Sequence, residues 1–156
     1  MPFDLQRFVE AQAPLFDGVL AELRAGRKQT HWMWFVFPQL RCLGRSATAR
    51  HYGLDGLDEA RAYVQHPLLG PRLLQCAELL LGVEGRTVHQ IFGSPDDLKL
   101  CSCMTLFERA AADATSYARV IDRYCAGRRD GLTLQALADP AAPGGSEHPP
   151  PEKGSP

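Results

Sequence analysis

The stretch Gly26-Arg27-Lys28-Gln29-Thr30-His31-Trp32-Met33-Trp34-Phe35-Val36-Phe37-Pro38-Gln39 holds both tryptophans of the chain, and its reading decides the fold class. Trp32 to Phe37 is short, apolar and aromatic, which is the composition of a strand. It lacks a period of two, however. Trp32, Trp34, Phe35 and Phe37 fall on both faces, Pro38 closes the run, and no partner strand is evident elsewhere. Taken as a short buried helical turn, the run makes the whole chain all-α; a strand is the competing reading. Large apolar side chains contribute on the order of 1.5–3 kcal/mol each when fully buried, and left together on a surface they form a patch that soluble monomers avoid. The run is therefore expected to anchor the core, with a base-stacking or partner-binding surface as the alternative.

Outward from this anchor the sequence repeats a helical grammar of polar start, apolar residues at three- and four-residue steps, and a Gly or Pro stop. Before it, Leu5, Phe8, Val9, Phe16, Val19, Leu20 and Leu23 predict an amphipathic stretch from Asp4 to Arg24, with Asp4 as N-cap and Gly26 just past the end. Pro14 removes a backbone donor, so a kink or break is expected near Ala13. After it, helices are expected over 47–52, 57–65, 71–81, 87–92, 95–112, 115–125 and 133–138. Ser94-Pro95-Asp96-Asp97 reads as a cap, a proline at the first helical position and two carboxylates in the first turn. On that helix Leu100, Cys103, Met104, Phe107 and Ala111 share one arc, which is core. Lys99 and Ser102 flank it, where a side chain can root in the core and present a polar head to a cleft.

From Asp139 onward no large apolar residue remains to be buried. The expected organisation is a single α-helical multi-helix domain over residues 3–138 and a disordered Pro/Gly-rich tail over 139–156. In the full chain of 156 residues, 45% hydrophobic and 22% charged content is that of an ordinary globular protein, and a net charge of −1 offers no global field for nucleic acid or an anionic membrane. Sequence-specific nucleic-acid binding and membrane association are accordingly not expected. No apolar run approaches the ~18 residues of a spanning helix, and Met1-Pro2-Phe3-Asp4-Leu5 lacks the features of a signal peptide. A cytoplasmic location is expected. The five cysteines, odd in number and irregularly spaced, suit reduced thiols rather than a disulfide framework. No metal site and no cofactor is expected, since Cys101 and Cys103 have no second ligand pair. The usual phosphate loops, dinucleotide fingerprints, nucleophile elbows and zinc helices are also missing. Whether the protein catalyses a reaction is left open.

The candidate site residues lie at the rim of the anchor and on the helix that begins near Pro95. Arg27 and Lys28 either neutralise the carbonyl end of the preceding helix or bind an anion as a fork-shaped donor beside a flexible ammonium. His31 is either a hydrogen-bonded wall residue or a proton shuttle, the one candidate for catalysis. Gln39 caps a turn or presents its amide to a ligand. His66 and His89 are explained by capping and packing. Cys101 and Cys103 lie too far into their helix for its dipole to activate a thiolate.

A resemblance adds to these readings. Phe3-Asp4-Leu5-Gln6-Arg7-Phe8, Gly26-Arg27-Lys28 with His31-Trp32-Met33-Trp34-Phe35 and Phe37-Pro38-Gln39, Glu59-Ala60, His66-Pro67, Leu69-Gly70, Ile91-Phe92-Gly93, Asp97 with Lys99-Leu100 and Met104-Thr105-Leu106-Phe107 resemble the bacterial domain-of-unknown-function family eighteen-ten. The resemblance covers about residues 3–137 and implies a small, mainly α-helical domain, with no activity, cofactor or substrate attached. Similar proteins tend to carry serine at the position of Cys103, which argues against a required cysteine nucleophile. A calpastatin-like role, a label such proteins often carry, is rejected: that inhibitor is repetitive and disordered, and this chain is aromatic-rich without repeats.

The resulting expectation is a protein that binds a small anionic or nucleotide-like ligand in a basic-aromatic pocket, with processing of that ligand as an extension of the same reading. Arg27, Lys28, Gln39, Lys99 and Ser102 would contact the ligand, and His31 would handle a proton. The alternative is a non-enzymatic protein-interaction or regulatory module, with a protein partner or a homodimer.

Overall fold

Pro14 breaks the first amphipathic stretch where expected. In the computed structural model, which describes residues 3–138, α1 (Gln6–Gln12) and α2 (Phe16–Arg24) are separated by a tight turn. Asp4 does not cap α1; Leu5 stands at that position without a side-chain cap, and the Asp4 carbonyl accepts from the Arg7 guanidinium instead. α2 closes as expected on Gly26, whose φ of 72° is the left-handed conformation that glycine adopts without strain. The N–H of Arg27 returns to the Glu22 carbonyl at 3.0 Å and that of Gly26 to Leu23 at 3.0 Å, the paired bonds of a Schellman end.

The aromatic run is helical. α3 (Met33–Val36) is a single turn, with Trp32, Met33, Phe35, Val36 and Phe37 all buried and Trp34 alone left half-buried. Phe37, with φ −123° and ψ 67° outside the helical region and followed by Pro38, ends it. Beyond a short 3-10 turn at Arg41–Leu43 follow α4 (Ala47–His51), α5 (Leu57–Gln65), α6 (Leu69–Gly82), α7 (Val88–Phe92), α8 (Asp96–Ala110), α9 (Thr115–Tyr124) and α10 (Gly131–Ala138). Among the described residues there is no strand; a lone parallel bridge joins Leu40 to Leu54. The expected disordered tail, 139–156, lies outside the described residues.

Helix α8 is the axis of the fold, packed by α5, α7, α9 and α10. Leu100, Cys103, Met104 and Phe107 are buried as the helical arc predicts, but Ser102, Thr105 and Leu106 are buried too, because neighbours surround the helix rather than lie along one stripe. The start of α8 also departs from expectation. Ser94 is not its cap: Pro95, after a cis peptide bond, occupies that position, and Asp96 and Asp97 form the first turn.

Two close approaches fix how the other helices meet this axis. The Nδ1 of His66 accepts the N–H groups of Leu68 and Leu69 at 3.1 and 3.2 Å, starting α6. One turn on, a Cβ on Gly70 would stand 2.0 Å from the Val64 carbonyl oxygen, so only glycine lets α6 approach the end of α5 this closely. Helices α8 and α9 form a hairpin across loop 111–114, which brings Cys101 beside Cys125 at the far end with a Cα separation of 5.9 Å. The two are joined as a disulfide. This corrects the expectation of reduced thiols for that pair, since a spacing of 24 residues carries no sign of the antiparallel packing that aligns them. Cys42, Cys76 and Cys103 are free.

Candidate functional site

Glu22, in the last turn of α2, shapes the basic loop that runs into α3. Its Oε1 accepts the backbone N–H of Gln29 at 2.8 Å and of Thr30 at 3.2 Å and the Trp32 indole N–H at 2.9 Å; its Oε2 accepts the Thr30 hydroxyl at 2.7 Å. Burial works to raise the Glu22 pKa, yet the bonds from Thr30, Gln29 and Trp32 outweigh it and hold the carboxyl below the usual range. Nothing in the sequence distinguishes this glutamate from a solvated helical residue, and its role went unrecognised there.

The loop so held delivers Lys28 inward. Its backbone N–H bonds the Ile91 carbonyl at 2.7 Å, its ammonium lies 5.1 Å from the centroid of the Trp32 ring, and Nζ meets Asp96 Oδ2 at 3.0 Å with the side chain only 8% exposed. Asp96 also faces Lys99, whose Nζ lies 3.8 Å from the other carboxylate oxygen and whose side chain is 26% exposed. Two lysines distant in sequence thus share one carboxylate at the start of α8. The adjacent Asp97 pairs with His89 Nδ1 at 3.0 Å.

The predicted residues divide into four placements. Lys28 and Lys99 converge on Asp96. Gln39 and Lys99 also line one recess, with Met33, Trp34, Phe37 and Ala49; its volume of about 10 Å³ holds a single water at most. Arg27 and His31 are exposed on the loop, and neither they nor Lys28 line this recess. Ser102 is buried and donates its hydroxyl to the Leu98 carbonyl at 3.3 Å, a bond within its own helix. Cys103 is fully buried, and burial first of all pushes its thiol well above the ordinary range, the opposite of an activated nucleophile. Among the described residues no group of His, Cys, Asp and Glu is arranged to hold a metal, and no helix is long and apolar enough to cross a membrane.

The sequence pattern of a family described as protein of unknown function (DUF1810) matches residues 2–137. The chain belongs to that family. A solved structure, the conserved hypothetical protein Rv1873 from Mycobacterium tuberculosis, is similar to this DUF1810 chain at 55% sequence identity and a TM-score of 0.87, over 89% of this chain and 99% of that one. Among curated proteins none matches.

Proposed function

We propose that this DUF1810 protein binds a small anionic, nucleotide-like ligand across the mouth of the recess between α3 and α8. The observation that carries the reading is the pairing of Lys28 and Lys99 on a single carboxylate. Two ammonium groups and one Asp96 leave an uncompensated positive charge beside a half-buried tryptophan and a half-buried glutamine. The recess is too small to enclose a ligand, so the ligand lies over it. An anionic group meets Lys99, with Arg27 and Lys28 adding charge from the loop; a flat group lies on Trp34; and the Gln39 amide fixes orientation. Ser102 acts from within α8, by setting the backbone at Leu98. His31, exposed on the loop outside the recess, would handle any proton exchanged with a bound molecule, and the reading is one of binding.

Thermal-shift screening against nucleotides, ADP-ribose derivatives and phosphorylated metabolites tests this reading. A stabilising hit that is lost on replacing Lys99 and Arg27 with alanine is expected; hits that survive both replacements overturn it. A second reading, a protein-interaction or regulatory module, is favoured by Leu98, which stands 68% exposed next to Lys99. Dimerisation in light scattering that Leu98→Ser abolishes, with no ligand hit, would favour it over the first.

A further inference from the structure

A second opening lies at the opposite end of α8, roughly 18 Å of helical rise from Lys99. There the end of α5, the first turns of α6, loop 111–114 and the start of α9 enclose a cleft of about 410 Å³, within the range of small-molecule sites. Val64, Pro71 and Leu74 give it an apolar surface, and Leu74 is 38% exposed. Among the described residues the ionisable side chains in its wall are Glu78, Asp113 and Tyr117, and no lysine, arginine or histidine lines it. Neither carboxylate has an ion-pair partner among the described residues. Among the described residues Asp113 bonds only Thr115, whose bonds hold its pKa below the usual range and keep it ionised.

Tyr117 supplies an independent observation. It is 2% exposed, yet its hydroxyl makes no hydrogen bond among the described residues, whereas the buried hydroxyls of Tyr63 and Tyr124 bond Phe35 and Gln12, and Leu80, respectively. Buried hydroxyls are seldom left unpaired, because nothing replaces the water they lose. Burial above all, with lesser contributions from Cys103, Glu78, Cys76 and Asp113, raises the phenol above its ordinary range, so it stays a neutral hydroxyl. An ammonium group has three N–H donors and needs three acceptors. Two carboxylates and one orphan phenol oxygen are that number.

We propose that this cleft binds a small organic cation, a primary alkyl- or arylalkylammonium, with its head among Glu78, Asp113 and Tyr117 and its hydrocarbon body on Val64, Pro71 and Leu74. The site is separate from the one at Lys99 and does not depend on it. The apolar surface selects for a hydrocarbon body, and the unopposed negative charge selects the cation over a neutral or anionic molecule of the same shape.

Titration of the full chain with pentylammonium and phenethylammonium, followed by amide NMR, tests the proposal, with pentan-1-ol and hexanoate as neutral and anionic counterparts. Both amines are expected to shift amides of Leu69–Glu78 and Ala111–Tyr117 saturably and to bind at least tenfold more tightly than the alcohol, with no binding of hexanoate. Glu78→Gln with Asp113→Asn, two exposed positions whose replacement leaves the core intact, should weaken the amines at least tenfold. Tyr117→Phe should weaken them severalfold without lowering the melting temperature. No saturable amine binding at millimolar concentration overturns the proposal. So do equal affinities for amine and alcohol, shifts centred elsewhere, or unchanged affinity in the double variant.

Discussion

Two clusters of charge, one around Arg7 and one around Asp96, are built on opposite terms. Under α1, Arg7 donates Nε to the His51 carbonyl at 2.9 Å, Nη2 to the Gly53 carbonyl at 3.0 Å, and Nη1 to Glu59 at 3.0 Å. The second Glu59 oxygen takes the Asp55 N–H at 2.8 Å, and the side chains are 9% and 2% exposed. Every polar atom there has its partner inside the protein. At the start of α8, by contrast, two lysines share one carboxylate and Lys99 keeps donors for something else. The contrast separates structural charge from available charge. A fully partnered ion pair joins segments distant in sequence, here α1 to α5; an under-partnered one at the same kind of boundary has interaction left to offer.

The comparison breaks most directly at Glu59. Removing one member of a buried pair strands the other, so Glu59→Ala should cost about 3–5 kcal/mol in denaturant unfolding. A loss below about 1 kcal/mol there would mean that the Arg7 cluster is no more structural than the Lys99 one. Glu22→Gln should come next, at about 1–3 kcal/mol, since it weakens charge-assisted bonds to the loop and to the Trp32 indole. Its pH dependence follows from the depressed pKa. The folded-state value lies below the unfolded one, near 4.5, so the carboxylate's contribution is complete above that value and is lost as pH falls through the folded pKa. The gap in melting temperature between wild type and Glu22→Gln should therefore narrow below pH 4.5; a gap constant down to pH 3 would remove Glu22 as the organiser of the loop.

Smaller effects sharpen the same contrast between partnered and unpartnered groups. Tyr63→Phe breaks the bonds of the Tyr63 hydroxyl with Gln12 and Phe35 and should cost about 0.5–1.5 kcal/mol, while Tyr117→Phe, which deletes a hydroxyl without a partner, should cost nothing. Calorimetry on the pair measures that difference. The smallest expected change is in Lys99→Ala: a partly exposed pair at 3.8 Å contributes less than about 1 kcal/mol, so the variant should melt close to wild type while losing the anionic ligand. A strongly destabilised Lys99→Ala would move that lysine into the structural class.

The helices were legible because each carries its own instructions. Pro14 marks the break, Gly26 the left-handed end of α2, and the apolar steps of α5 and α6 the faces that pack. The aromatic run was legible as a helical turn by its lack of alternation, although Trp34 packs against the core only partly buried and also lines the recess. The helical angle of Ser102 points to a cleft, but α8 is packed on more than one face and Ser102 is buried. Glu22 and Asp96 look like ordinary acidic residues of a helix end; only the folded chain shows what each carboxylate holds.

By itself the sequence determined the helical class, the break at Pro14, the end of α2 at Gly26, the family and the residues that bear charge near the anchor, since these follow from local periodicity, backbone chemistry and matching motifs. Tertiary structure alone decided that Lys28 meets Lys99 across Asp96, that Cys101 pairs with Cys125, that Gly70 must be glycine, and that Tyr117 is buried without a hydroxyl partner among the described residues. The physical reason is that these depend on contacts between helices, and the angle and depth at which two helices pack are set by all the side chains between them rather than by the spacing of residues along either one.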